Sequence, residues 1–237
     1  MLLVVLLLVA ACAAPSQDRA SPRRPAPTRI VDATPRAASA PAFDRTRHST
    51  TDARSTWVVV NKKHAVAPGY RPDVALVRGY QVATPVARPL TDLLEAGDRR
   101  GLGFKIASAF RSYGYQEGVY ADTVAMRGQA AADRVSARPG HSEHQTGLAV
   151  DLVTPASPGC DFDACFARTP GGRWLARNAW RFGFVIRYQA GDRAVTGYAP
   201  EPWHLRYVGV PLAAELRRTG IATLEEFFGI TGGDYSS

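Results

Sequence analysis

Five histidines stand at positions 48, 64, 141, 144 and 204, and the last three have acidic neighbours. His144 and Asp151 are seven residues apart. On one helix they would share a face but stand about 10 Å apart along the axis, and on one straight strand they would point to opposite faces. Neither geometry brings both to one metal at about 2 Å, so the chain must bend between them. Gly147 can supply the bend, and the alternating Leu148-Ala149-Val150-Asp151-Leu152 the strand after it. Asp151 then sits among apolar neighbours, where a carboxylate is costly unless it is paired or bound to a metal.

The second group is Glu201-Pro202-Trp203-His204, after the strand-like Thr196-Gly197-Tyr198. Pro202 excludes a helix interior, so Glu201 and His204 are expected in a turn. A catalytic zinc takes three protein ligands, keeps a position open for water and works with a carboxylate outside the ligand set. His144, Asp151 and His204 as ligands, with Glu201 as base, satisfy that count. Spacing alone leaves a second reading open, in which buried histidines are merely satisfied by carboxylates.

The elements that must position these residues are legible in outline. Of the 237 residues, 46% are hydrophobic and 21% charged, ordinary globular usage that excludes a wholly disordered or collagenous chain. Trp57 to Asn61, Phe104 to Phe110, Gly147 to Val153 and Phe184 to Tyr188 read as strands. Leu90 to Gly97, Tyr115 to Arg127, Trp174 to Phe182, Val210 to Arg218 and Leu224 to Phe228 read as helices. Strands and helices mixed without regular alternation indicate an α+β fold. The organisation expected is a signal peptide over 1–11, a disordered tether rich in Pro and Arg over 12–56, and one folded domain over 57–237.

The uncharged run Met1 to Ala11 is too short to cross a bilayer, which needs about 20 residues, and reads as a signal-peptide core. It ends in Val9-Ala10-Ala11-Cys12, which resembles a lipoprotein cleavage box with Cys12 as the acylated residue; a plain secretory leader is the alternative. No basic residue precedes the run, so the true translation start is expected upstream. The protein is expected outside the cytoplasmic membrane. Residues 13–56 carry six prolines and few large apolar groups, too little to offset ordering entropy. Eight arginines against four aspartates there account for half of the chain's net charge of +8. This removes the main support for a nucleic-acid partner and leaves contact with anionic headgroups as one use of the excess. Cys160 and Cys165, in a loop-like stretch, read as a disulfide in an oxidising compartment.

Ser142-Glu143-His144-Gln145-Thr146-Gly147-Leu148-Ala149-Val150-Asp151, with Thr196-Gly197-Tyr198 and Glu201-Pro202-Trp203-His204-Leu205-Arg206-Tyr207-Val208-Gly209, resembles the VanY-type zinc D-alanyl-D-alanine carboxypeptidases of bacterial walls. Ser108-Ala109-Phe110-Arg111-Ser112-Tyr113, Gln116, and Val60-Asn61-Lys62 with Tyr70 and Pro72 extend the resemblance over residues 57–229. It implies a compact DD-peptidase-like domain, related to the hedgehog fold, with a central antiparallel sheet flanked by helices. It implies one zinc per chain on His144, Asp151 and His204, with Glu201 as acid and base and Arg111 against the developing oxyanion. Ser142 and Gln116 match substrate contacts, and Tyr198 is expected to line the pocket. The implied reaction is removal of the C-terminal D-Ala from peptidoglycan stem peptides by a monomer. L,D-carboxypeptidase action on tetrapeptide stems, or a non-catalytic wall-binding lipoprotein, are the alternatives.

Overall fold

The computed structural model describes residues 42–235; the leader, Cys12 and the tether as far as residue 41 lie outside the described residues. Strands β1 (Val74–Val77) and β2 (Tyr80–Ala83) form an antiparallel hairpin. Its two-residue turn, Arg78 and Gly79, has both φ angles positive, at 48° and 87°, the turn geometry that matches strand twist. Arg-Gly lacks the usual Asn-Gly signature, so the hairpin was not expected. Helix α1 (Thr84–Asp98) follows directly. It is longer than the expected Leu90 to Gly97 because Pro85 occupies its first turn, where a missing N–H costs nothing.

Strands β3 (Lys105–Ser108), β4 (Ala149–Val153), β5 (Phe184–Tyr188) and β6 (Glu201–Tyr207) form an antiparallel sheet in the order β3-β4-β6-β5. The helices around it are α2 (Tyr113–Arg127), α3 (Gln129–Val135), α4 (Pro170–Asn178), the single turn α5 (Arg193–Thr196), α6 (Val210–Thr219) and α7 (Leu224–Phe228). This is the α+β architecture expected. Val150 and Leu152 of β4 and Leu205 of β6 join Leu90, Leu93 and Leu94 of α1 and Phe104, Phe166 and Phe184 in the main core. Strand periodicity turns the intervening Asp151 and His204 to the opposite face.

Three sequence expectations are corrected. Glu201 to His204 is strand, not turn: Pro202 sits where the β5–β6 register shifts, between the Tyr188–Glu201 and Ile186–Leu205 pairs, a position that requires no ladder donor. Thr196 to Tyr198 is not strand-like, because α5 ends there on Gly197 at φ 82°. Trp57 to Asn61 is buried but belongs to no sheet. Its side chains nevertheless alternate in space: Val58 and Val60 enter the main core, whereas Trp57 and Val59 enter a second cluster with Leu212, Leu224 and Phe227. The carbonyls of Val58 and of the preceding Thr56, however, are taken by a side chain: the Arg206 guanidinium donates to them at 2.7 and 3.1 Å.

The folded unit also begins before residue 57. Phe43 stacks on Trp57 with ring centroids 5.6 Å apart, Arg45 donates to the Phe227 carbonyl at 2.8 Å, and His48 packs edge-on against Trp57 at 4.7 Å. The end of the expected tether therefore covers the second cluster. Its few aromatic and cationic side chains find partners in the fold that composition does not reveal.

Candidate metal centre and its pocket

Sheet pairing assembles the centre. Asp151 on β4 and His204 on β6 are directly opposed, so their side chains emerge side by side on one face. His144 reaches them from a short 3-10 turn, Glu143–Thr146, that ends at Gly147 with φ 70°. A Cβ at Gly147 would lie 2.8 Å from the Ala83 nitrogen, so the bend that the spacing demanded needs glycine for both its dihedral and its space. One ligand atom from each of His144, Asp151 and His204 lies within 4.8 Å of the others, and all three residues are buried.

Tautomers follow from the partners. His144 Nδ1–H donates to the Ala109 carbonyl at 2.7 Å, which leaves Nε2 as a bare lone pair. That atom is buried without a hydrogen-bond partner, 3.2 Å from Asp151 Oδ2. His204 faces carboxylates with both nitrogens: Nε2 is 3.2 Å from Glu143 Oε2, and Nδ1 is 3.0 Å from Asp151 Oδ1. Either a proton sits on each nitrogen, or Nε2–H donates to Glu143 while a cation takes the place of the proton at Nδ1. In the absence of a cation, burial pushes His204 down but the hydrogen bonds to Asp151 and Glu143 outweigh it, and the imidazole is pushed up to about 9. Burial and the Arg111 charge push His144 down to about 4 despite Asp151. Two lone pairs converging on a carboxylate form a donor set that suits zinc, and the buried, unpartnered Nε2 is the observation that makes the fit.

Glu143 lies behind this set with its side chain fully buried. Its Oε1 accepts from Arg187 Nε at 2.8 Å and from Arg206 Nη1 at 2.7 Å, and its Oε2 faces His204. Burial alone would raise its carboxyl, but Arg187, Arg206 and His204 hold it well below the usual carboxylate range. Arg187 also forks onto Glu225, with bonds of 2.9 and 2.7 Å. Two guanidinium groups and two carboxylates thus balance in the interior, as buried charges must. Sequence alone assigns no role to Glu143, Arg187, Arg206 or Glu225. A signal was available for Arg187 and Arg206, charges inside apolar strand patterns, but their pairing with Glu143 and Glu225 was not.

In front of the ligands is a cavity of about 470 Å³ lined by Arg111, Ser142, Tyr198 and Glu201 among others. Glu201 Oε2 is 3.8 Å from His204 Nδ1. Burial, opposed by the His204 charge, pushes its carboxyl up to about 7. Arg111 follows the end of β3; its backbone N–H donates to the His144 carbonyl at 3.2 Å, and its buried Nε has no partner. Its Nη1 donates to Gln116 Oε1 at 3.0 Å, and the Gln116 amide donates to the Ala137 carbonyl at 2.8 Å. Gln116, expected to touch substrate, lines the cavity and through these two hydrogen bonds steadies Arg111. Tyr198 is buried, lies 5.0 Å from the Tyr188 ring and carries the Lys62 ammonium 4.8 Å from its own ring. His141 Nδ1 donates to the Asn61 carbonyl at 2.8 Å and stays out of the ligand set. Cys160 and Cys165 form a disulfide.

Residues 79–210 match the profile of the VanY family, described as D-alanyl-D-alanine carboxypeptidase. The chain belongs to the VanY family. A D-alanyl-D-alanine carboxypeptidase of Enterococcus faecalis is 31% identical over an alignment of 180 residues that covers 72% of this chain and 64% of that protein. The matched part thus spans less than two thirds of this curated relative. A solved VanY D,D-pentapeptidase in complex with Zn(II) superposes with a TM-score of 0.62 at 32% identity, covering 72% of this chain and 97% of the other. The LdcB LD-carboxypeptidase gives a TM-score of 0.67 at 32% identity, covering 76% and 89%. The VanY-family chain thus shares its fold with a solved zinc complex, and its own His-Asp-His set suits that ion.

Proposed function

We propose that this VanY-family protein is a zinc-dependent D-alanyl-D-alanine carboxypeptidase that removes the terminal D-Ala from peptidoglycan stem peptides. The observation that carries the reading is the buried cluster of His144, Asp151 and His204, with His144 Nε2 left without a hydrogen-bond partner, facing a cavity that also holds Glu201 and Arg111. When bound, zinc supplies Lewis acidity, lowering the pKa of a water and drawing charge from the scissile carbonyl. Glu201, beside the ligands and held near neutrality by burial, takes the proton from the attacking water and returns it to the leaving amine. The Arg111 guanidinium, fixed by Gln116, faces the charge that develops on the carbonyl oxygen. Ser142 lines the cavity next to His144 and can donate to the peptide's terminal carboxylate. Glu143 holds the Nε2 proton of His204, so that Nδ1 is the nitrogen offered to the metal.

The chain is further proposed to work outside the cytoplasmic membrane, held there by lipid on Cys12. The leader-like run before Cys12 supports this, and so does the disulfide, which belongs to an oxidising compartment. L,D-carboxypeptidase action on tetrapeptide stems is the second reading, favoured by the structural likeness to LdcB. Metal analysis of the purified chain, paired with mass spectrometry of pentapeptide and tetrapeptide stems, tests both. One zinc per chain and loss of alanine from the pentapeptide are expected, with Glu201→Ala binding the peptide but losing about 10²–10⁴ in kcat. Alanine loss from the tetrapeptide alone would turn the assignment to the second reading, and turnover unaffected by Glu201→Ala would overturn the mechanism.

A further inference from the structure

The Cys160–Cys165 disulfide closes a short loop beside the pocket, and at its centre stands Phe162. Several contacts pin that loop: Asp163 N–H donates to the Cys160 carbonyl at 3.2 Å, the Asp163 carboxylate accepts from Cys165 N–H at 2.7 Å, and Phe166 just downstream is fully buried in the core. Phe162 itself has φ 55° and is 54% exposed. A bulky aromatic in the left-handed region is a genuine outlier, a position where glycine or asparagine is at ease. In the free protein little burial compensates for this, and such outliers gather at ligand-contacting sites. Its ring lies edge-on to Trp203, 5.9 Å between centroids, and Trp203 directly precedes the ligand His204. Phe162 lines the same cavity as the three ligands and Glu201, together with the exposed Met126 and Val135.

We propose that Phe162 is a specificity-determining substrate contact, held at the pocket mouth by the disulfide, and that it packs against the peptide chain on the N-terminal side of the bond that is cut. The side of contact follows from topology. A carboxypeptidase encloses the terminal residue and lets the rest of the chain leave through the opening, and a half-exposed ring on the cavity wall stands at that opening. The loop's cross-link thereby serves aim as well as stability. This inference rests on the carboxypeptidase reading, since that reading supplies the peptide.

The test compares kcat/KM, by alanine release, on a stem pentapeptide and on N-acetyl-D-Ala-D-Ala, which is too short to extend far beyond the mouth. Phe162→Ala is expected to lower the ratio of the two values at least about five-fold, mainly through KM on the pentapeptide, as truncation of an anchoring aromatic contact does. Phe162→Gly, which relieves the backbone but also lacks the ring, should do the same with thermal stability retained. Phe162→Tyr should restore the ratio, and the double change Cys160→Ser with Cys165→Ser should lower it in the same sense. A purely structural role would lower both kcat/KM values together and leave their ratio in place. A ratio within two-fold of wild type for both Phe162→Ala and Phe162→Gly overturns the proposal. Wild-type protein that releases alanine from neither peptide would overturn the D-alanyl-D-alanine carboxypeptidase reading, and this inference with it.

Discussion

Replacing Glu143 by Gln tests the claim that a buried carboxylate sets both the charge balance and the orientation of His204. The side chain keeps its shape but loses its charge, and three donors that it now serves, from Arg187, Arg206 and His204, compete for one amide oxygen. Breaking a buried ionic pair costs about 3–5 kcal/mol. Arg187 retains Glu225, and Arg206 retains the carbonyls of Thr56, Val58 and Tyr207, so the lower end, about 3 kcal/mol, is expected. At roughly 2–4 °C per kcal/mol for a domain of this size, the melting temperature should fall by about 6–12 °C. An amide N–H facing His204 Nε2–H cannot accept its proton, and zinc affinity should drop about 10–100-fold. Differential scanning fluorimetry of the metal-free protein and titration against a chromogenic chelator read the two effects separately. Glu143→Asp, which keeps the charge, should recover part of both. A melting temperature within about 2 °C of wild type, together with unchanged zinc affinity, would refute the reasoning.

Arg111→Ala should lower kcat about 10²–10³-fold, the loss typical of a missing oxyanion donor; a steady-state loss confined to KM would place Arg111 on the substrate's terminal carboxylate instead. Glu225 is pushed up by burial, but Arg187 and the hydrogen bonds from Arg187 and Asn61 outweigh this and hold it low. Its contribution to stability is therefore fully present above its unfolded value of about 4.3 and is lost as pH falls through the depressed folded value. Glu225→Gln should be less stable than wild type at neutral pH, with the gap in unfolding free energy narrowing below about pH 4, as denaturant titrations along a pH series will read. Gly147→Ala forces a Cβ to 2.8 Å from the Ala83 nitrogen at φ 70°, strain of about 1–3 kcal/mol before the contact is counted. A denaturant midpoint equal to wild type would show that the bend tolerates a side chain.

The types and order of the candidate metal ligands, the need for a bend at Gly147, the strand over Phe184 to Tyr188 and the Cys160–Cys165 pair could all be read from the chain alone. Each depends on near neighbours: apolar periodicity, a glycine, a four-residue gap. The unbroken apolar run Trp57 to Val60 also indicates burial, and these side chains enter two separate clusters. What it could not record was the partner, because Arg206 lies 150 residues from the Thr56 carbonyl it satisfies.

Tertiary structure alone decided the rest. The pairing that sets Asp151 against His204 arises when β4 and β6 become neighbours, and the same pairing makes Glu201 to His204 a strand whose proline falls at a register shift. Arg187 and Glu143, 44 residues apart, and Arg206 and Glu143, 63 apart, would each be costly to bury singly and become tolerable only together. Charges can be placed in an interior only as a completed set, and completing this one required strands from separate parts of the chain to meet.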